Sequence, residues 1–546
     1  MYIKRNVTTK PSGKKYVKYF LVEGYRDKKT GKVKQKYVLN LSSLPENSIL
    51  ALQESLKGNT PISNKNLEDL EVLSTKQYGN IKIFSKLYDQ YFGKYFTNKN
   101  YNNALRSIII NKIFDSRSKN SINNWLNEVD MGYKISNKND FYDCLDYLES
   151  EQEKIEKRLS KQNQDQDNNI HGNNILLYDI TSTYFEGKGA EEICKYGYSR
   201  DHRSDRVQVN IGVITSSDGT PISVEIIAGN ITDKQTLQDQ IDKIKNKFNI
   251  KDLTFIFDRG MKSKVNLEYL QEAGYSYITA LSHSELKKKS EESKDIQMSL
   301  FDKKDLASFE VEDKYYSLVH NPMKAYKDKN DRLKLIEKTE EKIKKIQELK
   351  KDYSPTQIQD KISKIINKYK CEKYFNYEIK KIEKEVVNKN KKDLKKATKI
   401  CGQIEYNTNT DKITLDEKYD GFYMIESTNK KIKEEKSVDQ YKDLQLVERA
   451  FDSVKNHIEI RPVFHYKESR IKGHIFSCFM SYFLLHKFKQ EIQELLKEST
   501  LDEILTQTKL IQKTCFRIGN FCFDKIVNLS DIQEKILKKF KISCCA

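Results

Sequence analysis

The sequence predicts an α/β core that is interrupted by a long α+β insertion and preceded by a small β unit and a helical domain. Two observations support this fold class. Strand and helix patterns alternate between residues 172 and 283, and a lysine-rich and glutamate-rich stretch at 284–438 separates them from a further core segment at 439–490. With 546 residues, the chain is long enough for roughly two to four domains.

Residues 1–48 predict the small, basic β unit. Residues 17–25 and 33–41 have the composition of strands, and the DKKTGK segment between them has the chemistry of a turn. Lysines on the exposed face of such strands either contact DNA or protect an edge strand from aggregation, and the second role needs no partner.

Residues 49–160 follow a helical period and predict a helical domain, which either binds DNA or only packs against the core. The polar tract KQNQDQDNNIHGNN at 161–174 then predicts a linker, in which His171 is a solvated loop residue.

Residues 172–283 predict the first part of the core. The strand segments are ILLYDI, VQVNIGVIT, ISVEIIAG, LTFIFDRG and YSYITALS, and helical segments lie between the third and fourth and between the fourth and fifth. The order β-β-β-α-β-α-β is typical of a ribonuclease H-like fold, in which the first and fourth strands lie side by side.

Two of these strands end in an aspartate, Asp179 and Asp258, so both carboxylates are expected at neighbouring strand ends. A third acid, Glu448, lies on a predicted helix, YKDLQLVERAFDSVK, whose residues Tyr441 and Lys455 fall on the same stripe. Taken singly, each acid is explained more simply by a structural role than by a catalytic one. Together, three carboxylates suit a two-metal phosphoryl-transfer site, which favours a nuclease-like enzyme acting on nucleic acid.

The insertion at 284–438 predicts extended segments, including KITLDEKYDGFYMIEST, around a helical hairpin at 332–370. Ile336, Ile343, Ile346 and Leu349 are expected to line one arm, and Ile358, Ile362, Ile365 and Tyr369 the other. Ser354 and Pro355 fit the N-cap and first position of its second helix. Residues 439–490 complete the core, and 491–546 predict a C-terminal helical segment.

The charge balance favours a polyanionic partner. The chain has 98 basic and 79 acidic residues, a formal net charge of +19, although the lysine-rich composition of an AT-rich genome explains such a surplus equally well. Nine cysteines without a CxxC pair predict reduced thiols, and no run approaches the roughly 18 apolar residues of a membrane span. These observations favour a cytoplasmic protein without a membrane partner.

These motifs resemble the DDE transposases of bacterial insertion sequences, especially the group with a YREK signature on the helix of the third acid and, within it, the insertion sequence 1634 branch. Tyr441, Glu448 and Lys455 match that signature, whereas Leu444 stands at its arginine position. YDITSTYFEG, YGYSRDHRSDRVQ, FDRGM and RPVFHYKESRIKGHIFSCF are also similar, so the resemblance covers roughly residues 170–485.

The resemblance implies cut-and-paste transposition by a bacterial, nucleoid-associated enzyme. Asp179, Asp258 and Glu448 would be the catalytic residues and would hold two Mg²⁺ ions, with Mn²⁺ as an alternative. The partners would be double-stranded DNA, as terminal inverted repeats and as target, and a second copy of the chain in a homodimeric synaptic complex.

Several residues are candidates for DNA contact. Tyr441 and Lys455 would lie near the scissile phosphate, and the loop arginines Arg200, Arg203 and Arg206 point to phosphate contact. Because Leu444 cannot neutralise a phosphate, either Arg449, Arg461 or Arg470 substitutes for the missing arginine, or the DNA end is held differently.

Two other function classes remain open at this point. A ribonuclease H-like nuclease without strand transfer would keep the three acids. A non-catalytic DNA-binding or assembly protein would owe its charge and its helical hairpin to scaffolding, and it would lose no activity when Asp179 or Glu448 is changed.

Overall fold

The protein is described here by a computed structural model. The described residues are 1–10, 15–28, 30–58, 70–170, 175–248, 250, 253–301, 305–348, 353–387, 396–432, 434–518, 521–526 and 528–543. They form two compact units: the first takes residues 1–89, 120–136 and 488–546, and the second takes residues 90–119 and 137–487.

The helices and strands are numbered in chain order. The helices are α1 (Glu46–Leu56), α2 (Gly79–Tyr91), α3 (Lys99–Phe114), α4 (Ile122–Glu128), α5 (Asp140–Ile170), α6 (Asp233–Asp242), α7 (Lys264–Glu272), α8 (His283–Glu292), α9 (Lys294–Phe301), α10 (Pro322–Gln347), α11 (Pro355–Tyr369), α12 (Thr410–Glu417), α13 (Glu434–Lys442), α14 (Leu444–Asp452), α15 (Glu468–Glu491), α16 (Leu501–Leu510) and α17 (Asp531–Lys539). The strands are β1 (Tyr2–Thr9), β2 (Lys15–Arg26), β3 (Val33–Asn40), β4 (Leu70–Gln77), β5 (Ile175–Tyr184), β6 (Gln208–Ser216), β7 (Pro221–Ala228), β8 (Thr254–Phe257), β9 (Ser276–Ala280), β10 (Leu306–Val311), β11 (Lys314–His320), β12 (Phe375–Val387), β13 (Lys396–Thr408), β14 (Phe422–Ser427), β15 (Gln512–Ile518) and β16 (Phe521–Ile526).

The first unit contains two three-stranded antiparallel sheets. One has the order β1-β2-β3, so the predicted pair of N-terminal strands gains a third, β1, whose mixed sequence YIKRNVTT gave no clear period. The other has the order β16-β15-β4. The purely helical predictions for 49–160 and 491–546 were therefore wrong at β4 and at β15 and β16, because β4 finds its partner more than 400 residues away along the chain.

The predicted linker was wrong over most of its length. Helix α5 continues to Ile170, so residues 161–170 of the polar tract belong to a helix. Glutamine is a good helix former, so a polar tract that contains it can continue a helix. His171, predicted as a loop residue, lies outside the described residues.

The second unit is built on an eight-stranded mixed sheet with the order β10-β11-β14-β9-β8-β5-β6-β7. Between β5 and β9 the chain follows the predicted order of three strands, a helix, a strand, a helix and a strand. The predicted first and fourth strands, β5 and β8, are parallel neighbours, and Tyr178 pairs with Phe257 in their register.

The insertion extends this sheet rather than leaving it at five strands. Strand β14 pairs with β9, β11 pairs with β14, and β10 pairs with β11, all antiparallel. The extended conformation predicted for KITLDEKYDGFYMIEST was wrong in its first half. The Asn409 side chain accepts a hydrogen bond from the Lys412 N–H as the N-cap of α12, and only β14 is a strand.

One face of the sheet packs against α6 and α7. Leu176, Tyr178 and Ile180 of β5 point into this core, together with Phe255 and Phe257 of β8. Because successive strand residues point to opposite faces, Asp179 faces away from this core.

The predicted helical hairpin is present as α10 and α11, and its capping prediction is confirmed. The Ser354 hydroxyl accepts from the Gln357 N–H, and Pro355 occupies the first turn of α11. Buried isoleucines join the two helices to the β12–β13 ribbon; they are Ile336, Ile343, Ile358, Ile362, Ile366 and Ile404. Ile366 therefore takes the core position predicted for Ile365, and Leu349 lies outside the described residues.

None of the helices in the described ranges combines the length and the hydropathy needed to cross a bilayer.

Candidate active site

The parallel pairing of β5 and β8 brings the two aspartates side by side. The predicted strand end at Asp179 was wrong, because β5 continues to Tyr184 and Asp179 lies in its middle, whereas Asp258 directly follows β8. Asp179 follows Tyr178 in β5, Asp258 follows Phe257 at the end of β8, and Tyr178 and Phe257 are register partners. The Ile180 N–H donates to Asp179 Oδ1 at 2.7 Å, and the Gly260 N–H donates to Asp258 Oδ2 at 3.3 Å. Local main-chain donors therefore fix both carboxylates.

The third acid comes from α14, which packs across β5. Val447 and Ala450 are buried on the inner side of this helix, and Glu448 is exposed beside them. The single helix predicted for YKDLQLVERAFDSVK is divided in two at Asp443. Lys455 lies in a π-helical segment, Ser453–His457, that continues α14.

The three acids line one cavity of about 730 Å³. The side chains and backbone segments around it come mainly from the middle of β5, from the end of β8, from the loop before β6, and from α13 and α14. Its lining residues are Asp179, Ile180, Thr181, Tyr198, Arg200, Asp233, Asp258, Met261, Tyr423, Tyr441, Lys442, Leu444, Gln445, Glu448, Phe451 and Lys455.

Burial and like charges raise the pKa of Asp179. Burial is the larger cause, the negative charges of Asp258 and Glu448 add to it, and the resulting pKa is about 7. Arg200 and the Ile180 N–H act in the opposite direction. Burial at this end of the cavity therefore favours the neutral form of the Asp179 carboxyl.

The donor set suits a hard divalent cation, because the acidic residues that line the cavity offer oxygen ligands. Within the described ranges, however, no three Asp, Glu, His or Cys side chains are gathered closely enough to hold a metal ion. The described carboxylates of the cavity thus have the chemistry of metal ligands without the spacing of a metal site.

Tyr441 contacts one of the acids directly. Its hydroxyl donates to Asp258 Oδ1 at 3.3 Å, and burial together with the Asp258 charge raises the pKa of the phenol. Tyr441 therefore remains protonated and acts as a donor at neutral pH.

Lys455 is held by an acid that the sequence did not single out. Its Nζ donates to Asp201 Oδ1 at 2.9 Å, and an Arg461 nitrogen lies 3.3 Å from Asp201 Oδ2. The Arg461 guanidinium also lies 4.7 Å from the ring centre of Tyr184. One carboxylate thus orients two cations at the end of the helix that carries Glu448.

The predicted loop arginines separate into two groups. Arg200 lines the cavity, where its guanidinium donates to Asp233 Oδ2 at 2.5 Å. Arg203 instead pairs with Asp205, and Arg206 donates to the Glu186 carbonyl, both outside the lining.

The arginines predicted as substitutes at Leu444 also lie outside the lining. Arg449 is exposed on α14. Arg461 is engaged by Asp201, and Arg470 by Asp143 and Asp146. Leu444 itself is in the cavity wall.

Sequence reasoning missed Asp201 and Asp233. Asp233 begins α6, and its position at the start of a crossover helix after a strand pair is a weak signal for a residue at the carboxyl edge of the sheet. Asp201 had no comparable signal, because its partner Lys455 is 254 residues away in sequence.

Comparison with protein families gave two matches. Residues 171–484, more than half of the chain, are similar to the model described as the transposase DDE domain, and residues 4–69 are similar to the N-terminal domain of IS1634 family transposases. A search of curated proteins returned no match.

Proposed function

Because this chain belongs to the DDE transposases, in the IS1634 family, we propose that it cuts the ends of its own insertion sequence and joins them to target DNA. The convergence of Asp179, Asp258 and Glu448 on one cavity is the observation that supports this reaction most directly. The parallel pairing of β5 and β8 also supports a ribonuclease H-like core, with the insertion placed between the second and third acids.

Asp179, Asp258 and Glu448 would hold two Mg²⁺ ions, with Mn²⁺ as an alternative. Bound divalent cations would supply activation of the attacking oxygen and stabilisation of the leaving 3′ oxygen in each phosphoryl transfer. Main-chain donors already orient the two aspartates, whereas the exposed Glu448 side chain can change rotamer to approach them.

The surrounding side chains would position the DNA. Tyr441 would donate a hydrogen bond near the scissile phosphate, and Lys455 would contribute positive charge, with Asp201 fixing its position. Arg449, Arg203 and Arg206 would contact the DNA farther from the reacting atoms, because they lie outside the cavity lining.

The partners in this proposal are double-stranded terminal repeats, target DNA and a second copy of the chain. The net charge of +19 favours the polyanion. A pair of ends held by a homodimer would form the synaptic complex, in the cytoplasm and on the nucleoid.

The test is to change each acid without changing its size. Asp179→Asn, Asp258→Asn and Glu448→Gln should each lower Mg²⁺-dependent cleavage of a DNA end by at least ~100-fold, because the lost group acts in the transition state. Cleavage and joining are read on a labelled duplex copied from the DNA that flanks the coding region.

Binding of the same duplex without metal should survive in all three variants. Glu268→Gln is the matched control, because Glu268 is exposed on α7, pairs with Lys264 and lies outside the cavity lining. About a tenth of wild-type cleavage in any one of the three variants would contradict the proposed roles. Nicked duplex without joined product would favour the nuclease alternative.

A further inference from the structure

The carboxylate of Asp258 is oriented by the turn that it begins. Its side chain is exposed, and it accepts two long hydrogen bonds, from the Gly260 N–H and from the Tyr441 hydroxyl, each at 3.3 Å. Gly260 belongs to the short helical turn Arg259–Met261, which Asp258 itself caps. The position of this acid therefore depends on how that turn is fixed.

The turn is short and closed by main-chain hydrogen bonds. The Met261 N–H donates to the Asp258 carbonyl at 3.0 Å, and the Lys262 N–H donates to the Arg259 carbonyl at 3.1 Å. Met261 is buried, and its carbonyl accepts from the Asn266 side-chain amide at 2.8 Å. A displacement of Lys262 would therefore be transmitted through the turn to Asp258.

The Lys262 side chain ties this turn to a more distant strand. Its Nζ lies 2.8 Å from Glu426 Oε2 and 2.9 Å from Glu285 Oε1. Glu426 lies on β14, the strand with which the insertion returns to the sheet, and β9 separates β14 from β8. Lys262 thus connects the end of β8 to a strand two places away.

Glu426 is the centre of a buried polar cluster. Its Oε1 accepts from the Tyr277 hydroxyl at 2.6 Å and from Lys314 Nζ at 2.7 Å. Burial alone would raise the pKa of Glu426, but the hydrogen bonds and charges around it, those of Lys262 first, lower it. The carboxylate is therefore charged at neutral pH and is fixed by donors from β9, from β11 and from the Asp258 turn.

Stability alone is a poor explanation for this ion pair. The side chain of Lys262 is 11% exposed and that of Glu426 is 4% exposed. A buried ion pair usually stabilises a protein little more than apolar side chains of the same volume, because both charges lose their water. The pair does, however, fix the distance between the two segments that carry it.

We propose that Glu426, acting through Lys262, is a positioning residue for Asp258. The strand that the insertion adds beside β9 thereby holds one of the acids of the cavity in place. Neither Glu426 nor Lys262 is among the residues that line the cavity, so both act from behind it. The inference rests on the proposed function, because it concerns an acid that would hold the metal ions.

Two lysine variants separate positioning from general stabilisation. Lys262→Met and Lys314→Met each remove one cation from the same carboxylate, but only Lys262 belongs to the Asp258 turn. In crystal structures of the two variants, the hydrogen bond from the Tyr441 hydroxyl to Asp258 should be lost in Lys262→Met and kept in Lys314→Met. This readout requires neither metal nor DNA.

Metal affinity gives a second readout. Lys262→Met should weaken by about tenfold the part of Mn²⁺ binding that Asp258→Asn abolishes, measured by electron paramagnetic resonance of the free ion. Loss of a positive charge near a cation site would by itself tighten the binding of Mn²⁺, so the sign separates a positional effect from an electrostatic one. Lys314→Met should not weaken this binding.

Conservative and double variants test the path of the effect. Lys262→Arg keeps the cation and should recover part of the Mn²⁺ affinity. Glu426→Gln should weaken Mn²⁺ binding as Lys262→Met does. The double variant should bind no more weakly than Lys262→Met alone, because the two residues act through one contact.

The outcomes distinguish this inference from the proposed function. If the wild-type protein binds Mn²⁺ at Asp258 but never cuts a DNA end, the transposase reaction fails, and the Tyr441 contact and the Mn²⁺ affinity still decide the role of Glu426. A Lys262→Met protein, folded by circular dichroism, that keeps the contact between Tyr441 and Asp258 or binds Mn²⁺ as tightly as the wild type overturns the inference. Equal effects of Lys262→Met and Lys314→Met overturn it as well, because the cluster would then act only through stability.

Discussion

Burial shifts the pKa of several side chains outside the cavity, and Lys119 is one of them. Its Nζ lies 2.6 Å from His474 Nδ1, and His474 Nε2 donates to the Ile460 carbonyl at 3.0 Å. That second bond fixes the tautomer, so Nδ1 accepts from Lys119. Burial and the neighbouring Lys112 lower the pKa of Lys119 to about 7, and burial lowers the pKa of His474.

Lys119 should therefore make stability depend on pH. Its pKa is lower in the folded chain than in the unfolded chain, so the unfolded state binds more protons between about pH 7 and pH 10. The free energy of unfolding should rise with pH across this window and lose that contribution as pH falls through about 7. Lys119→Met should flatten the profile, which calorimetric Tm values at a series of pH values would measure.

The control for this experiment is Lys497→Met, because Lys497 is exposed and pairs with Glu494 on the surface. It should leave the slope of Tm against pH unchanged. An equal slope in the wild-type and Lys119→Met proteins would contradict the lowered pKa of Lys119.

At the scale of elements, the packing of the insertion requires a close approach between strand β13 and helix α11. A β-carbon on Gly402 of β13 would lie 2.8 Å from Pro355 Cα at the start of α11, and the Gly402 N–H donates to the Tyr353 carbonyl at 2.9 Å. The first turn of α11 therefore sits directly on β13 because residue 402 has no side chain.

Gly402→Ala should destabilise the protein by about 1–3 kcal/mol, the usual cost of overpacking a rigid contact. Gly24→Ala is the matched control, because Gly24 also lies in a strand and its added methyl would meet nothing within 4 Å. Denaturant unfolding of both variants gives the comparison. Equal stabilities would show that α11 can move away from β13 at no cost.

The sequence predicted those elements whose signals are local. The Ser354–Pro355 start of α11 follows from capping chemistry, and the strands from β5 to β9 follow from a period of two. Strands β4 and β15 were missed because each is stabilised by the other across the chain. Helix α5 was cut short because composition alone does not separate a polar helix from a polar loop.

The residues of the candidate site likewise fall into those that local sequence signals predicted and those that they did not. Asp179 and Asp258 could be placed together because their strands were predicted to be neighbours, although Asp179 lies in the middle of β5 and not at its end, and Glu448 could be added because of its helix. The acids that hold the cations, Asp201 and Asp233, could not be predicted. An ion pair between distant segments leaves no periodic trace in either segment.

At the scale of the whole molecule, the topology explains how the long insertion 284–438 can lie between Asp258 and Glu448 in sequence while the two acids still line one cavity. The insertion returns as β14, which pairs with β9 inside the core sheet, before α13 and α14 bring Glu448 across β5. The chain outside the sheet, α10, α11 and the β12–β13 ribbon, is therefore available for a role other than building the cavity.

We expect that role to be contact with a second copy in the synaptic complex. Helix α10 carries large apolar side chains outside its buried stripe, of which Met323 is 82% and Tyr326 is 73% exposed, with Leu333 farther along the helix. Exposed apolar residues grouped on one helix favour a protein partner over DNA. Deletion of residues 332–370 would test this role with little specificity, because it would also expose the buried residues Phe375 and Ile404.

Charges on this helix give the sharper test. Tyr326→Glu combined with Leu333→Glu should leave the fold and the binding of a single DNA end intact, since both side chains are partly or largely exposed. The same change should lower the mass of the assembled protein–DNA complex, read by light scattering, from two chains to one, and joined products should fall with it. Met298→Glu, at a similarly exposed apolar residue on α9, should change neither. A double variant that still assembles as two chains and joins ends at the wild-type rate would exclude α10 from the contact between copies.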